Sequence, residues 1–402
     1  MADTRRIKQK DWVQVADFIV KEKEDRKSRR KDLEAAWKEI DRQVAMSPTP
    51  RGVDEGGKKL VGKEWLPEIE LPLQAQALEV LTADTRRLLF PDDRSFFSAN
   101  SEVTDKLLGE VDFTSIISGD EVQVPTKFQQ DNFDALVEGV LTHCHSLYDH
   151  RGVWDEFNAE NFKYGTGILR ARLVSLDKFQ NDFRGVRSDT IRFPRLYAVS
   201  VKNTYLDDSA NHTLHEGVQT APSVIREYSQ SIDDLRRAAK KGSTDPTKED
   251  GGWMPSKLAN LEPDKNNNVS ILEFEGDLAI PRSQGKNIFL PNVIVSVAVG
   301  AERVVFRYRE RAFPFRSYLY QNYHRDQIDT PYGVSPLMKG LPLQKAATES
   351  ANRWMEAVVL DSEPPVVWDP QDQWLQGTGG PQIYPGALWA GLTKPEPVKI
   401  GD

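Results

Sequence analysis

The densest run of side chains able to hold a metal is His143-Cys144-His145, with Asp149-His150 just beyond it. On a helix His145 and Asp149 share a face, and His143 points elsewhere. Cys144 continues the apolar stripe of Phe133, Leu136, Val137, Val140 and Leu141, where a thiol behaves as a small buried hydrophobe. Paired Cys-x-x-Cys or His-Glu-x-x-His spacing is missing, so the expectation is no metal. His212 and His215 lie in a polar stretch and read as solvated. A phosphate-cradling loop needs glycines followed by Lys and then Ser or Thr. Gly57-Lys58, Gly62-Lys63 and Gly285-Lys286 are followed by Lys59, Glu64 and Asn287, so ATP hydrolysis is not expected. No Gly-x-Ser-x-Gly elbow is present. Asp207, Asp208, Glu273 and Glu275 are the nearest thing to carboxylates for glycoside cleavage. Their surroundings read as strand ends and surface. The expectation is a chain without catalytic residues or cofactor.

The best candidate for an interaction surface is the stretch from Arg303 to Tyr323 and Arg325. It sets Arg303, Arg307, Arg309, Arg311 and Arg316 among Phe306, Tyr308, Phe313, Phe315, Tyr318 and Tyr320. Strand alternation would put Arg307 and Arg309 on the face opposite Phe306 and Tyr308. DNA phosphate contact with base stacking is one reading. The favoured one is a strand with one core face and one solvated or subunit-facing side, because arginine and tyrosine also dominate protein interfaces.

These residues need elements to place them. Residues 11 to 45 read as helix, with Leu33, Trp37, Ile40 and Val44 on one face. The charge run Lys21 to Lys31 inside it reads as a solvated face of paired charges rather than a basic arm. Residues 46 to 64 lack periodicity and read as a loop. A helix is expected over Leu73 to Leu89, between Pro72 and Pro91, and another over Lys127 to Tyr148. Tyr164-Gly165-Thr166-Gly167 looks like a turn feeding a strand over 168 to 174, and a second strand region covers 190 to 206. Val224, Tyr228, Ile232, Leu235 and Ala239 predict an amphipathic helix over 223 to 241, with basic residues at its end and Gly242 as a cap. Residues 243 to 268 read as a linker. Val269 to Glu275, Asn287 to Val299 and Arg303 to Arg309 are strand-like. Helix returns over Leu343 to Leu360, with Leu343, Ala347, Ala351, Trp354 and Val358 as its apolar stripe. A β module between two helices reads as a projecting unit on a two-helix stalk in an α+β chain.

With 402 residues the chain holds several structural units. Only 39% of residues are hydrophobic and 28% are charged, a balance that suits a protein with much exposed or interfacial surface. Sixty-one acidic against 53 basic side chains leave a net charge of -8, which argues against a tight nucleic-acid clamp. One cysteine cannot form an internal disulfide, which points to synthesis in a reducing cytoplasm. No signal peptide or membrane-spanning run is read, so no membrane partner is expected.

The order Phe313-Pro314-Phe315-Arg316, Asp329-Thr330-Pro331-Tyr332-Gly333, a helix carrying Gln344 and Asn352, then Pro364-Pro365 resembles the portal proteins, or head-to-tail connectors, of short-tailed bacteriophages. The stretch Leu71-Pro72-Leu73-Gln74 to Leu89-Phe90-Pro91 is similar to their early wing helix, and Tyr164-Gly165-Thr166-Gly167 to the turn before a wing strand. The resemblance implies a wing over 1–219, a first stem helix over 220–245, a β-rich clip over 246–325, a second stem helix entering the wing over 326–363 and an irregular segment over 364–402. It implies stem residues Arg226, Arg236, Arg237, Lys240, Lys345, Glu349 and Arg353, and clip residues Arg303, Arg307, Arg309, Arg311, Phe313, Phe315, Arg316 and Tyr318. It further implies a ring of twelve copies at one capsid vertex, synthesised in the host cytoplasm and residing in the virion. Double-stranded DNA would pass through its channel. Terminase, tail adaptor, major capsid and scaffolding proteins would be its partners. Twelve copies would carry about -96, which would keep DNA from sticking. Relatives usually continue past the Pro-Pro stretch with a channel loop, a long wing helix and sometimes a crown barrel. The sequence stops at Asp402, so either the chain is short of those parts or it is a portion of the protein, and the channel loop and crown are not claimed. The alternatives are a virion-associated hydrolase or another connector ring, such as a tail adaptor or nozzle.

Overall fold

The computed structural model describes residues 9–54, 58–60, 63, 65–90, 138–139, 142, 148–182, 185–207, 223–248, 251–280, 288–300, 302–311, 316–324, 330–362, 366–368, 388–390 and 396–397. The chain is mixed α+β and divides into two units, Met1–Glu34 with Leu81–Ser335, and Ala35–Val80 with Pro336–Asp402.

The first unit is built on a five-stranded antiparallel sheet: β3 (Thr204–Leu206), β4 (Ser223–Ser231), β5 (Asn268–Ile280), β6 (Ile288–Val299) and β7 (Arg303–Glu310), adjacent in that order. Strand side chains alternate between faces. One face carries Ile225, Leu272, Phe274, Val293, Val295 and Val297, and helix α1 (Gln9–Arg29) lies over it with Val15, Ala16, Ile19 and Val20. Each of the larger aliphatics buried there contributes roughly 1.5–3 kcal/mol. The other face is divided along its length. Ile271, Ala298 and Phe306 meet helix α5 (Ile232–Lys241) through Leu235, the short α6 (Pro255–Ala259) through Leu258, and Trp253 from the chain between them. Glu273, Glu275 and Ser296 follow on the same face, all buried.

A second antiparallel sheet of the same unit runs β2 (Gly185–Ala198), β1 (Thr166–Asp182), β8 (Tyr318–Asn322). Helix α4 (His150–Tyr164) precedes β1. The Asp149 carboxylate accepts from the Gly152 N–H at 2.9 Å and so caps it, and Gly165 ends it at φ +82°. The sequence shows no helix here because the face that α4 buries is partly polar, with His150, Asn158 and Asn161 beside Phe157 and Phe162.

Three expectations are corrected. The helix over 223 to 241, the first stem rod, is a strand as far as Ser231 and a helix only from Ile232. The β module is not a projecting knob on two rods: β5, β6 and β7 share one sheet with β3 and β4 and pack beneath α1. The helix over 11 to 45 is broken at Arg30, with α2 (Lys31–Val44) beyond it. The break falls inside a charge run that is not simply solvated. Arg26 and Arg30 are buried and donate to main-chain oxygens of Tyr205, Ser223, Val201 and Thr204. These bonds tie the end of α1 to the backbone of β3, of the turn before it and of the start of β4.

The second unit contains most of α2, the helix α3 (Leu73–Leu89) as far as Val80, the 27-residue helix α7 (Pro336–Ser362) and a small sheet of β10 (Leu388–Ala390), β9 (Val366–Trp368) and β11 (Glu396–Pro397). Helix α3 has the expected bounds. Helix α7 starts seven residues before its expected Leu343 and takes Pro342 inside. The helix expected over Lys127 to Tyr148 lies almost wholly outside the described residues; Glu138, Gly139 and Thr142 within it are helical.

Candidate functional site

Strands β5, β7, β1 and β8 enclose a layer of charge. Glu273 pairs with Arg170 of β1, both 3% exposed, and accepts from the Tyr318 hydroxyl at 3.3 Å. Arg170 lies over the Tyr318 ring at 4.9 Å. Glu275 is fully buried, pairs with Arg311, and accepts from the backbone N–H and the hydroxyl of Ser317. Burial alone would push the Glu273 carboxyl up. The charges of Arg170, Arg172, Arg226 and Arg307 outweigh it and hold the group down to about 2. The same charges crowd one another. Burial, with Arg309 beside it, brings the Arg307 guanidinium down to about 10, and burial lowers Arg309 and Arg311 as well.

The reading of Glu273 and Glu275 as surface acids is therefore corrected. They are the buried counter-charges of an arginine layer. A carboxyl held near 2 is no proton donor for glycoside cleavage. Asp207 accepts from Arg26 at 3.0 Å and from the Ser223 hydroxyl at 3.1 Å.

Above this layer opens a cleft of about 670 Å³, lined by Arg170, Arg172, Lys241, Arg307, Arg309 and Arg311 among other residues. Arg307 is fixed by its Nε–H to the Gly251 carbonyl at 3.2 Å and by lying over the Trp253 ring at 4.5 Å. The expectation that Phe306 and Tyr308 share a face fails. Val297 pairs with Val305 and Ser296 with Arg307, so Phe306 is an extra residue in a bulge. Phe306 joins the α5 side while Tyr308 joins the α1 side.

The other expected site residues disperse. Arg303 pairs with Asp17 of α1 at 3.0 Å. Arg316 donates to Asn292 at 2.9 Å and pairs with Asp277. Phe313, Phe315 and Arg325 lie outside the described residues, as do His143, Cys144, His145, His212, His215 and Asp208. Arg226 sits on β4 over Tyr228, not on a stem helix. Arg236, Arg237 and Lys240 are exposed on α5. On α7, Lys345 reaches Glu39 at 3.5 Å, and Glu349 pairs with Arg353 at 3.0 Å and Arg51 at 3.4 Å. Sequence reasoning missed Arg170 and Arg172. Their one signal was a pair of arginines alternating with apolar residues in Ile168 to Val174. His150 packs among Phe90, Tyr148 and Trp154 and accepts from the Trp154 indole N–H at 3.1 Å. Among the described residues no group of three His, Cys, Asp or Glu side chains could hold a metal ion, and no helix is long and apolar enough to cross a membrane.

A second construction joins two turns far apart in sequence. Gly165, at φ +82°, would place a Cβ 2.4 Å from the Gly333 carbonyl oxygen, and Gly333 would place one 2.3 Å from the Gly165 oxygen. Neither position accepts a side chain without moving backbone. The Gly333 N–H donates to the Thr166 hydroxyl oxygen at 2.8 Å, and that hydroxyl donates to Asn322 at 2.9 Å. The Ser335 hydroxyl donates to the Phe162 carbonyl at 2.7 Å, and the Tyr332 hydroxyl oxygen accepts the Leu206 N–H at 3.1 Å.

In the second unit α7 turns its amides inward. Asn352 accepts the Ile69 N–H at 2.9 Å and donates to the Ile69 carbonyl at 3.0 Å, while Gln344 donates to Glu70 and the Leu71 carbonyl. Of its expected apolar stripe, Leu343 is 71% exposed, Trp354 67% and Val358 39%, while Ala347 and Ala351 are half-buried.

No protein-family model matches the chain, and no curated protein matches it.

Proposed function

We propose that the chain is the subunit of a portal ring, the head-to-tail connector of a short-tailed bacteriophage, with no catalytic step of its own. One observation carries the reading beyond the sequence resemblance. The two turns that the resemblance rests on, Tyr164-Gly165-Thr166-Gly167 and Tyr332-Gly333, meet as a single joint in which each glycine makes room for the other's carbonyl. The support is that both turns quoted for the resemblance belong to one joint, as turns of a shared subunit architecture would. The outward apolar stripe of α7 also favours assembly, because such a face needs a neighbour.

In this reading copies associate head to tail until rotation closes the ring. DNA passes through the central opening during packaging and ejection, and the acidic balance of -8 per copy limits phosphate sticking. Terminase and then tail proteins dock on an outer surface, and capsid and scaffolding proteins hold the ring at the vertex. The two-rod stalk is not part of the proposal, because residues 223–231 form a strand. Negative-stain microscopy of the purified chain is the test. Closed rings with a central hole are expected, and monodisperse monomers at every salt concentration would overturn the reading.

A further inference from the structure

The cationic cleft of the first unit has a role that assembly does not require. Six cationic side chains line it, Arg170, Arg172, Lys241, Arg307, Arg309 and Arg311. Among the described lining residues Glu310 is the one carboxylate, and it already accepts from the Tyr308 hydroxyl at 3.2 Å. Glu273 and Glu275 lie behind the wall and are bonded to Arg170, Arg311, Ser317 and Tyr318. The Arg170 side chain is 3% exposed, and its Nε–H finds no acceptor in the protein. In the described lining cationic side chains thus outnumber carboxylates, and the Arg170 Nε–H is a buried donor without an acceptor.

We propose that this cleft binds a compact oligophosphate, of the size of a tripolyphosphate or the phosphate chain of a nucleotide. Guanidinium groups present forked N–H pairs that match phosphate oxygens two at a time. A volume of about 670 Å³ suits a small ligand rather than a polymer track. One carboxylate brings a single charge and two oxygens, too few for donors converging from β1, β7 and α5. An oligophosphate brings several charges in one compact body. Arg307 is preorganised for it by Gly251 and by the Trp253 ring. The crowding that lowers Arg307, Arg309 and Arg311 would be relieved by such an anion.

The test is calorimetry and thermal unfolding of the full chain with sodium tripolyphosphate, against sodium chloride at matched ionic strength. Saturable one-site binding with a rise in Tm is expected. Arg172→Gln with Arg309→Gln, the first exposed and the second half-buried, should weaken it by roughly tenfold or more while the circular dichroism is kept. Lys241→Gln, at an exposed position on the cleft wall, should weaken binding as well, and it keeps the proposal testable if the arginine variant does not fold. A response no larger than that of sodium chloride, or equal affinity in wild type and variants, would overturn the proposal. So would binding confined to a single-stranded oligonucleotide or a glutamate-rich peptide.

Discussion

The β6 strand and the α7 helix solve the same packing problem in opposite ways. Along β6, Val293, Val295 and Val297 alternate and all point into the core under α1. Along α7, Leu343, Trp354 and Val358 of the stripe are exposed, and the buried residues are Leu337, Gln344 and Asn352. The sheet is held by area removed from water. The helix is held by amide groups bonded to the backbone of the Ile69–Leu71 strip. Apolar periodicity thus marks a buried face in one region and a free one in the other. A free apolar face is where a neighbouring copy would add the missing cover.

The largest effects are expected in the sheet. Phe274→Ala should cost about 3–5 kcal/mol, read by denaturant unfolding, because it opens a cavity in a closed layer. On the opposite side of β5, Glu273→Ala should cost a similar 3–5 kcal/mol by leaving the Arg170 charge buried without its partner. If Phe274→Ala proved as mild as a surface change, the contrast with α7 would fail.

Acid should expose the same layer. A glutamate of the unfolded chain takes up its proton near 4.5, whereas Glu273 in the fold stays charged down to about 2. Its stabilising contribution is therefore complete above about pH 5 and is lost as pH falls towards 2. Wild-type stability should drop more steeply over that window than that of Glu273→Gln, measured by urea unfolding at a series of pH values. On α2 of the second unit, Glu39 is held to about 2 as well, first by its hydrogen bond from Arg42, so part of the slope should remain in the variant.

Smaller effects belong to α7. Asn352→Ala should cost about 1–3 kcal/mol, since it leaves the Ile69 N–H and carbonyl without their partner. Trp354→Ser, at a position 67% exposed, should change the stability of the isolated chain by no more than about 0.5 kcal/mol yet lower the yield of assembled particles. A stability loss as large as that of Asn352→Ala would mean the tryptophan faces the chain's own core.

How much could be read from the sequence follows from the same contrast. Helix α3 was legible because Pro72 and Pro91 punctuate it, and β6 because its alternation is strict. Residues 223–231 were not. Val224, Tyr228 and Ile232 are four apart, a spacing that keeps one face on a strand and on a helix alike, so periodicity cannot choose between them. The charge layer was invisible because Arg170 and Glu273 are 103 residues apart in the chain and share no local pattern. The bulge at Phe306 reversed a facing that alternation alone predicts.

The most direct test of the account is the mass of the purified full chain in solution, measured by sedimentation at low and high salt. A portal ring of twelve 45.6 kDa copies predicts a discrete particle of about 550 kDa. A single 45.6 kDa species under every condition would contradict it.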